Sequence, residues 1–258
     1  MTKLVLEKTT YSYPEKGSGA GRRGDLAETN LHLEAATITA VVGAAGAGTN
    51  TLLNLIAGLI QPTEGRVLWK GQPVTDQSAD RSVVFHQSAL YPWLSVAENI
   101  EFGLQNRKMR RRERKMRVAE YLDRFYLTKK ANQPVYQVKD HHDLILISFA
   151  RCLAREPELA LIGDEPLSQI NDRFRNRLRK ALLKFWSDKQ TMLMLFTSDV
   201  EEALLMASKI FIMSGRPGRI VRQLEADFCN QVRSDGVDAV RHVTEFRQMR
   251  RDVLRQVI

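Results

Sequence analysis

Three glycines, Gly43, Gly46 and Gly48, separate an apolar run at residues 38–42 from an apolar helical pattern at about residues 50–59. A Gly-rich turn between strand and helix gathers backbone N–H groups, and the helix adds its positive end. The chemistry this suits is the holding of an anion such as phosphate. Roughly 110 residues on, a buried strand pattern at 159–162 ends in Asp164-Glu165-Pro166. Read alone, that triplet caps the strand end and holds the next turn. Adjacent imidazoles at His141 and His142 suit a metal, yet no third ligand is evident in the sequence. Residues 107–117 hold eight basic residues in eleven, with Glu113 the only acid. Such a run is either the solvated start of a helical lobe or a surface for anionic lipid or nucleic acid. No aromatics are interleaved with the charges, which weakens single-strand binding.

The elements that must position these residues follow from periodicity. Residues 2–10 and 31–42 read as strands, 66–69 and 82–85 as short strands, and 88–156 as mainly helical. An apolar stripe of Met109, Met116, Ala119, Tyr121 and Leu122 follows the basic run. Strands at 191–197 and 209–213 alternate with helices at 172–187 and 199–207. After Ile220 periodicity weakens until a basic helix at about 243–257. Strand, turn and helix in alternation predict an α/β fold with a mostly parallel sheet.

Composition bounds the class. With 258 residues and 43% hydrophobic content, the chain is long enough for one large domain. A mean hydropathy of −0.31 describes a soluble globular protein rather than a disordered one. Two cysteines exclude a disulfide framework and a Cys-based metal cluster. Residues 35–63 carry no charge over 29 positions, longer than the roughly 20 that cross a bilayer. The glycines and asparagines at its centre instead predict strand, turn and buried helix. The first 13 residues hold no signal-peptide core, so the cytoplasm is the expected compartment. A net charge of +9 suits anionic partners without choosing among them.

Taken in order, the glycine loop, Asp164-Glu165-Pro166, the segment from Ala89 to Asn99 and the run from Ser214 to Ile220 resemble one family. It is the family of ATP-binding subunits of ABC importers, nearest the nitrate, sulfonate and taurine type, and the resemblance covers about residues 3–255. It implies a RecA-like P-loop core with an N-terminal antiparallel β part (1–87 and 151–220), a helical lobe (88–150) and a C-terminal extension (221–258). ATP and Mg²⁺ are the implied cofactors. Gly43, Ala45, Gly46, Gly48, Thr49, Asn50, Thr51 and Tyr13 take the nucleotide-binding positions. Asp164 and Asn50 take those of the Mg²⁺ ligands, and Glu165 that of the base for the attacking water. The implied partners are a membrane permease, met through Leu90, Tyr91, Pro92, Trp93 and Leu94, and a second ATP-binding chain, identical or related. Nucleic acid is not expected. The implied place is the inner face of the cell membrane.

The family pattern is broken where its chemistry lies. Its phosphate loop ends in Gly-Lys-Ser/Thr, where the lysine reaches the β- and γ-phosphates and the hydroxyl binds Mg²⁺. Here those positions hold Thr49 and Asn50. His86 stands for the Q-loop glutamine, Ser198 for the switch histidine, and Asn171 for the aspartate closing the D-loop. Lys139, Asp140, His141 and His142 replace the Leu-Ser-Gly-Gly signature. In the family's head-to-tail dimer, each site joins one chain's loop to the other's signature. This chain alters both, so pairing with an intact partner completes neither site. The reading is therefore a pseudo-ATPase that docks on a permease and binds nucleotide weakly or not at all. An active ATPase energising uptake of nitrate, a sulfonate or taurine is the alternative. A lipid- or nucleic-acid-binding protein using residues 107–117 is the third.

Overall fold

The computed structural model describes residues 2–14, 22–84, 89–105, 109–164 and 170–257. Two compact units divide the chain, one of residues 1–78 and 192–258, the other of residues 79–191.

In the first unit, β1 (Thr2–Pro14) pairs antiparallel with β2 (Arg22–Glu34) and β4 (Glu64–Trp69), and β5 (Gln72–Pro73) extends the edge. Alternation explains this sheet: Leu4 and Leu6, then Leu31 and Leu33, are fully or nearly fully buried at every second position. The strand expected at residues 31–42 is two strands. The chain turns at residues 35–37, with Ala36 at a φ of 56°, and β3 (Ile38–Gly43) then enters another sheet. Beyond the turn the period-2 pattern gives way to six consecutive buried residues.

Parallel β8 (Met192–Thr197) and β9 (Lys209–Ser214) flank β3, and β10 (Arg219–Glu225) runs antiparallel along β9. β3 and β8 are buried at every position, as strands covered on both faces must be. Helix α1 (Thr49–Ala57) follows β3 and stops at Gly58, whose φ of 77° admits a left-handed cap. The uncharged stretch at 35–63 is thus strand, turn and buried helix. No helix among the described residues is long and apolar enough to cross a membrane.

The second unit pairs β6 (Arg81–Val84) with β7 (Leu159–Ile162) in parallel. Of the unit's helices, α4 (His141–Leu153) packs on β6, α2 (Val96–Phe102) and α3 (Arg111–Arg124) pack on α4, and α5 (Asp172–Lys189) meets α3 where Phe185 lies against Tyr121. The stripe expected on α3 is corrected: Met116 is 65% exposed, and Val118 joins Tyr121 and Leu122 in the core. Arg114 and Arg117 on this helix pair with Glu101 and Glu156, at 3.8 and 2.6 Å.

The first unit closes with α6 (Val200–Met206), α7 (Phe228–Asp235), α8 (Val237–His242) and α9 (Thr244–Val257). The stretch after Ile220 that the sequence left without periodicity holds the rest of β10 and two short helices. Phe228 and Phe246 meet edge to face there, 5.1 Å apart.

Candidate functional site

The loop between β3 and α1 is built as its glycines demand. Gly46 and Gly48 have φ of 84° and 81°, the left-handed region where a side chain is strained. Ala47 N–H donates to Ala44 C=O at 3.0 Å, tightening the turn. Gly48 is the N-cap of α1 and offers no side-chain cap, and the first turn holds no acid. The leading N–H groups of α1 are therefore left to an anion, and the helix dipole favours one. This cradle fits a phosphate. It supplies Mg²⁺ less well, because the buried Thr51 hydroxyl donates to the Asp25 carboxylate and lies 3.5 Å from the Tyr13 hydroxyl. Half-buried Thr49 brings no charge, and exposed Asn50 offers an amide oxygen. Tyr13 arrives from β1, packed edge-on against Tyr11 at 4.7 Å.

One cation does reach the loop. In the turn between β9 and β10, Arg216 donates from Nη2 to the Ala45 carbonyl at 3.1 Å. Its guanidinium covers Gly46 so closely that a side-chain carbon there would collide with it. Gly218, from the same turn, packs on Ala47 and exchanges backbone hydrogen bonds of 2.8 Å with Asp25 and Ala27 near the start of β2. Sequence reasoning missed both Asp25 and Arg216. Arg216 lies in the run that carried the family resemblance, yet no spacing rule ties residue 216 to residue 46.

Past β8, Ser198 is exposed on the bend, and Asp199 caps α6 by accepting from the N–H groups of Glu201 and Glu202. In the second unit Asp164 follows β7, half-buried. His86 and Glu165 lie outside the described residues.

Lys139 is exposed, and Asp140, His141 and His142 form the start of α4. Asp140 is its N-cap: one carboxylate oxygen accepts from the His142 N–H at 2.9 Å and meets His142 Nδ1 at 2.8 Å. The His142 ring stacks on Phe174 at 4.2 Å, and its Nε2 accepts from the Asn171 N–H at 3.4 Å. Nδ1 therefore carries the proton and donates it to Asp140. Among the described residues no group of three His, Cys, Asp or Glu is placed to hold a metal. Burial alone would raise the Asp140 pKa. Hydrogen bonds from the His142 ring and backbone, helped by the Lys130 charge, outweigh it and hold the carboxyl below its usual range.

A pH dependence follows. A depressed carboxylate stabilises the fold fully above its unfolded pKa, and that contribution fades as pH falls through the folded value. Asp140→Ala should cost about 1 kcal/mol near pH 7, as lost N-caps do. The gap from the parent should shrink below about pH 4, which denaturant unfolding at pH 7 and pH 3 checks.

The segment before α2 presents aromatics. Leu90 is buried and anchors it, whereas Trp93 is 71% exposed, with exposed Pro92 beside it and half-buried Leu94 after it. Tyr91 bridges Trp93 at 5.5 Å and Phe102 at 4.4 Å. Tyr136, 68% exposed, donates its backbone N–H to the Pro92 carbonyl at 3.0 Å. Periodicity had not singled out Phe102 or Tyr136. Fully buried Asn99 holds the segment's shape: its amide accepts from Tyr91 N–H and donates to the carbonyls of Tyr91, Leu94 and Ser95. Asn99→Ala removes the acceptor of the Tyr91 N–H, while the carbonyls of Tyr91, Leu94 and Ser95 keep backbone donors from Leu94, Val135 and residue 99; it should cost about 1–3 kcal/mol. Denaturant unfolding and Trp93 emission check it.

A family profile described as "ABC transporter" matches residues 26–168. The chain belongs to the ABC transporter ATP-binding family. Relatives of this family include the taurine import ATP-binding protein TauB of Pseudomonas aeruginosa, 33% identical over 255 residues, covering 98% of this chain and 95% of that one. The TauB of Pelagibacter ubique is 32% identical over 90% of this chain and 87% of its own. The nitrate import ATP-binding protein NrtD of Synechocystis is 36% identical over 79% of this chain and 77% of its own. Among solved structures, the ATP-binding cassette MJ0796, described as a dimer bound to ADP and Pi, superposes with a TM-score of 0.75 at 24% identity. It covers 87% of this chain and 99% of its own. The cbiO1 subunit from Clostridium perfringens reaches the same TM-score at 22% identity, covering 95% of each chain.

These likenesses make the chain an importer-type ABC ATP-binding subunit with the RecA-like ABC fold. Proteins of this family bind ATP and Mg²⁺ and assemble with membrane permease subunits, often as dimers.

Proposed function

We propose that the chain is a hydrolysis-deficient ABC importer subunit that docks on a membrane permease from the cytoplasmic side and binds nucleotide weakly. One observation carries the reading. The phosphate loop keeps its left-handed glycines and uncapped helix start, while the residue that should neutralise the γ-phosphate is Thr49. A charge-assisted hydrogen bond is worth roughly 1.5–3 kcal/mol, so the loss of the lysine weakens nucleotide by about 10- to 150-fold. The same loss removes a stabiliser of transition-state charge. Asp140 adds a carboxylate where a partner chain's γ-phosphate is expected, and its engagement with α4 and His142 keeps it ionised. Arg216 supports weak binding over none, because it returns a positive charge to the loop.

In this reading Asp164, Glu165 and Asn50 are remnants of an Mg²⁺ and water-activating site. Ser198 and His86 leave the switch and Q-loop positions without their usual chemistry. The core at 1–87 and 151–220 holds the loop, the lobe at 88–150 carries the permease contact, and 221–258 is an extension. The partner chain is a second copy or a related ATP-binding subunit. The names of its relatives, taurine and nitrate importers, point to a small anion as the solute class of the permease. Arg114 and Arg117 are engaged with Glu101 and Glu156, which reduces the charge that residues 107–117 could offer lipid or nucleic acid.

Thr49→Lys/Asn50→Ser tests the reading. The variant should bind ATP about 10- to 150-fold more tightly than the parent, while hydrolysis stays absent because the signature and switch positions remain replaced. Equal affinity in parent and variant would contradict it.

A further inference from the structure

The C-terminal extension carries a feature that nucleotide chemistry does not use. Arg247, Arg250 and Arg251 share one face of α9, and with Arg241 of α8 and Glu201 of α6 they surround a hollow of about 560 Å³ beside Phe246. Four guanidinium groups here face a single lining carboxylate. Like charges at i,i+3 and i,i+4 spacing repel, so the cluster weakens its own helix unless an anion joins it.

The four side chains are also held in place. Arg241 donates through Nε to one Glu201 oxygen at 2.7 Å and also pairs with Asp238 at 3.5 Å, and Arg250 Nε pairs with the other Glu201 oxygen at 3.1 Å. Arg247 donates through Nε to the Arg241 carbonyl at 3.0 Å and meets His242 Nδ1 through Nη2 at 2.8 Å. Arg251 donates through Nε to the Arg247 carbonyl at 3.4 Å. Each guanidinium is fixed through its inner nitrogen, and for Arg250 and Arg251 the outer fork makes no other contact among the described residues. Forks held in advance lose less freedom when they grip an oxyanion. The volume lies within the range of small-ligand sites.

We propose that this hollow is a binding site for a phosphate group, separate from the phosphate loop. Several guanidinium forks around one space match the oxygens and the double negative charge of a phosphate. Glu201 lies in the first turn of α6, three residues past Ser198. The bound phosphate competes with Glu201 for Arg241 and Arg250, and so reaches the helix that begins at the switch position.

The test uses the full chain and calorimetric titration with inorganic pyrophosphate. Arg247→Gln/Arg251→Gln leaves the Glu201 pairs intact, and its circular dichroism should match the parent. Its affinity should fall about tenfold or more and the parent's should weaken steeply with salt. Arg112→Gln/Lys115→Gln on α3 removes the same charge elsewhere and should change affinity less than about twofold. The phosphate loop contributes equally to all three proteins. Sedimentation with phosphatidylglycerol vesicles separates the source. Arginine-dependent binding of pyrophosphate identifies a free phosphate compound, and arginine-dependent binding of vesicles alone identifies a lipid headgroup. Binding of both probes unaltered in the arginine variant, binding of neither by the parent, or tighter binding of citrate than of pyrophosphate would overturn the proposal.

Discussion

Trp93→Ala should weaken capture of the permease subunit by about 30- to 1000-fold while leaving stability within about 0.5 kcal/mol of the parent. The argument rests on where the indole stands. At 71% exposure it fills no core space, so truncation opens no cavity. It is also held, packed on Tyr91 in a segment that Asn99 ties at four points, so docking orders little that is loose. A large aromatic on a preformed surface, next to Phe102 and Tyr136, has the character of an interface hot spot. Leu90→Ala is the contrasting variant. That side chain is buried, and its loss should cost about 2–5 kcal/mol of fold stability. Co-purification of each variant with the permease subunit in detergent, beside its unfolding curve, separates the two effects. Undiminished capture by Trp93→Ala would place the permease contact elsewhere.

Arg216→Ala should weaken ATP binding about tenfold or more, and Thr49→Lys should make that loss smaller. Both side chains act on one loop, Arg216 by lying on Gly46 and bonding Ala45, the introduced lysine by reaching the phosphates from the start of α1. Two cations serving one anion are not additive. Arg216→Lys should retain part of the affinity, because the charge stays but the planar fork does not. Fluorescence titration with a labelled ATP analogue, across the four combinations of Thr49 or Lys with Arg216 or Ala, measures the coupling. Equal losses in both backgrounds would reduce Arg216 to a brace for the Ala45 carbonyl.

The parts of this protein that follow from local rules were legible in its sequence. Gly46 and Gly48 marked the phosphate loop because left-handed φ leaves few other choices, and Gly43 because a side chain there would crowd Thr49 and Ala47. The uncharged stretch at 35–63 resolved into strand, turn and helix because asparagine and glycine do not suit a lipid-facing span. Long-range features were hidden. The turn at Ala36 has no glycine or proline, so β2 and β3 ran together. Met116 fell on the apolar stripe by spacing but faces solvent, since which side of α3 is covered depends on α2 and α4. β10 lies at a sheet edge, mostly exposed, and gave no alternation to read. Asp140 was read as a charge set against phosphate. Its service as the cap of α4, stacked through His142 on Phe174, needed coordinates.

The most direct measurement is steady-state ATP turnover by the purified chain with Mg²⁺, beside Glu165→Gln. On the proposed reading, in which the lysine, signature and switch positions are replaced, turnover should lie at least about 100- to 1000-fold below the 1 per second of an ordinary enzyme, and Glu165→Gln should leave it unchanged. Turnover near 1 per second that Glu165→Gln abolishes would contradict the account and make the chain a working ATPase.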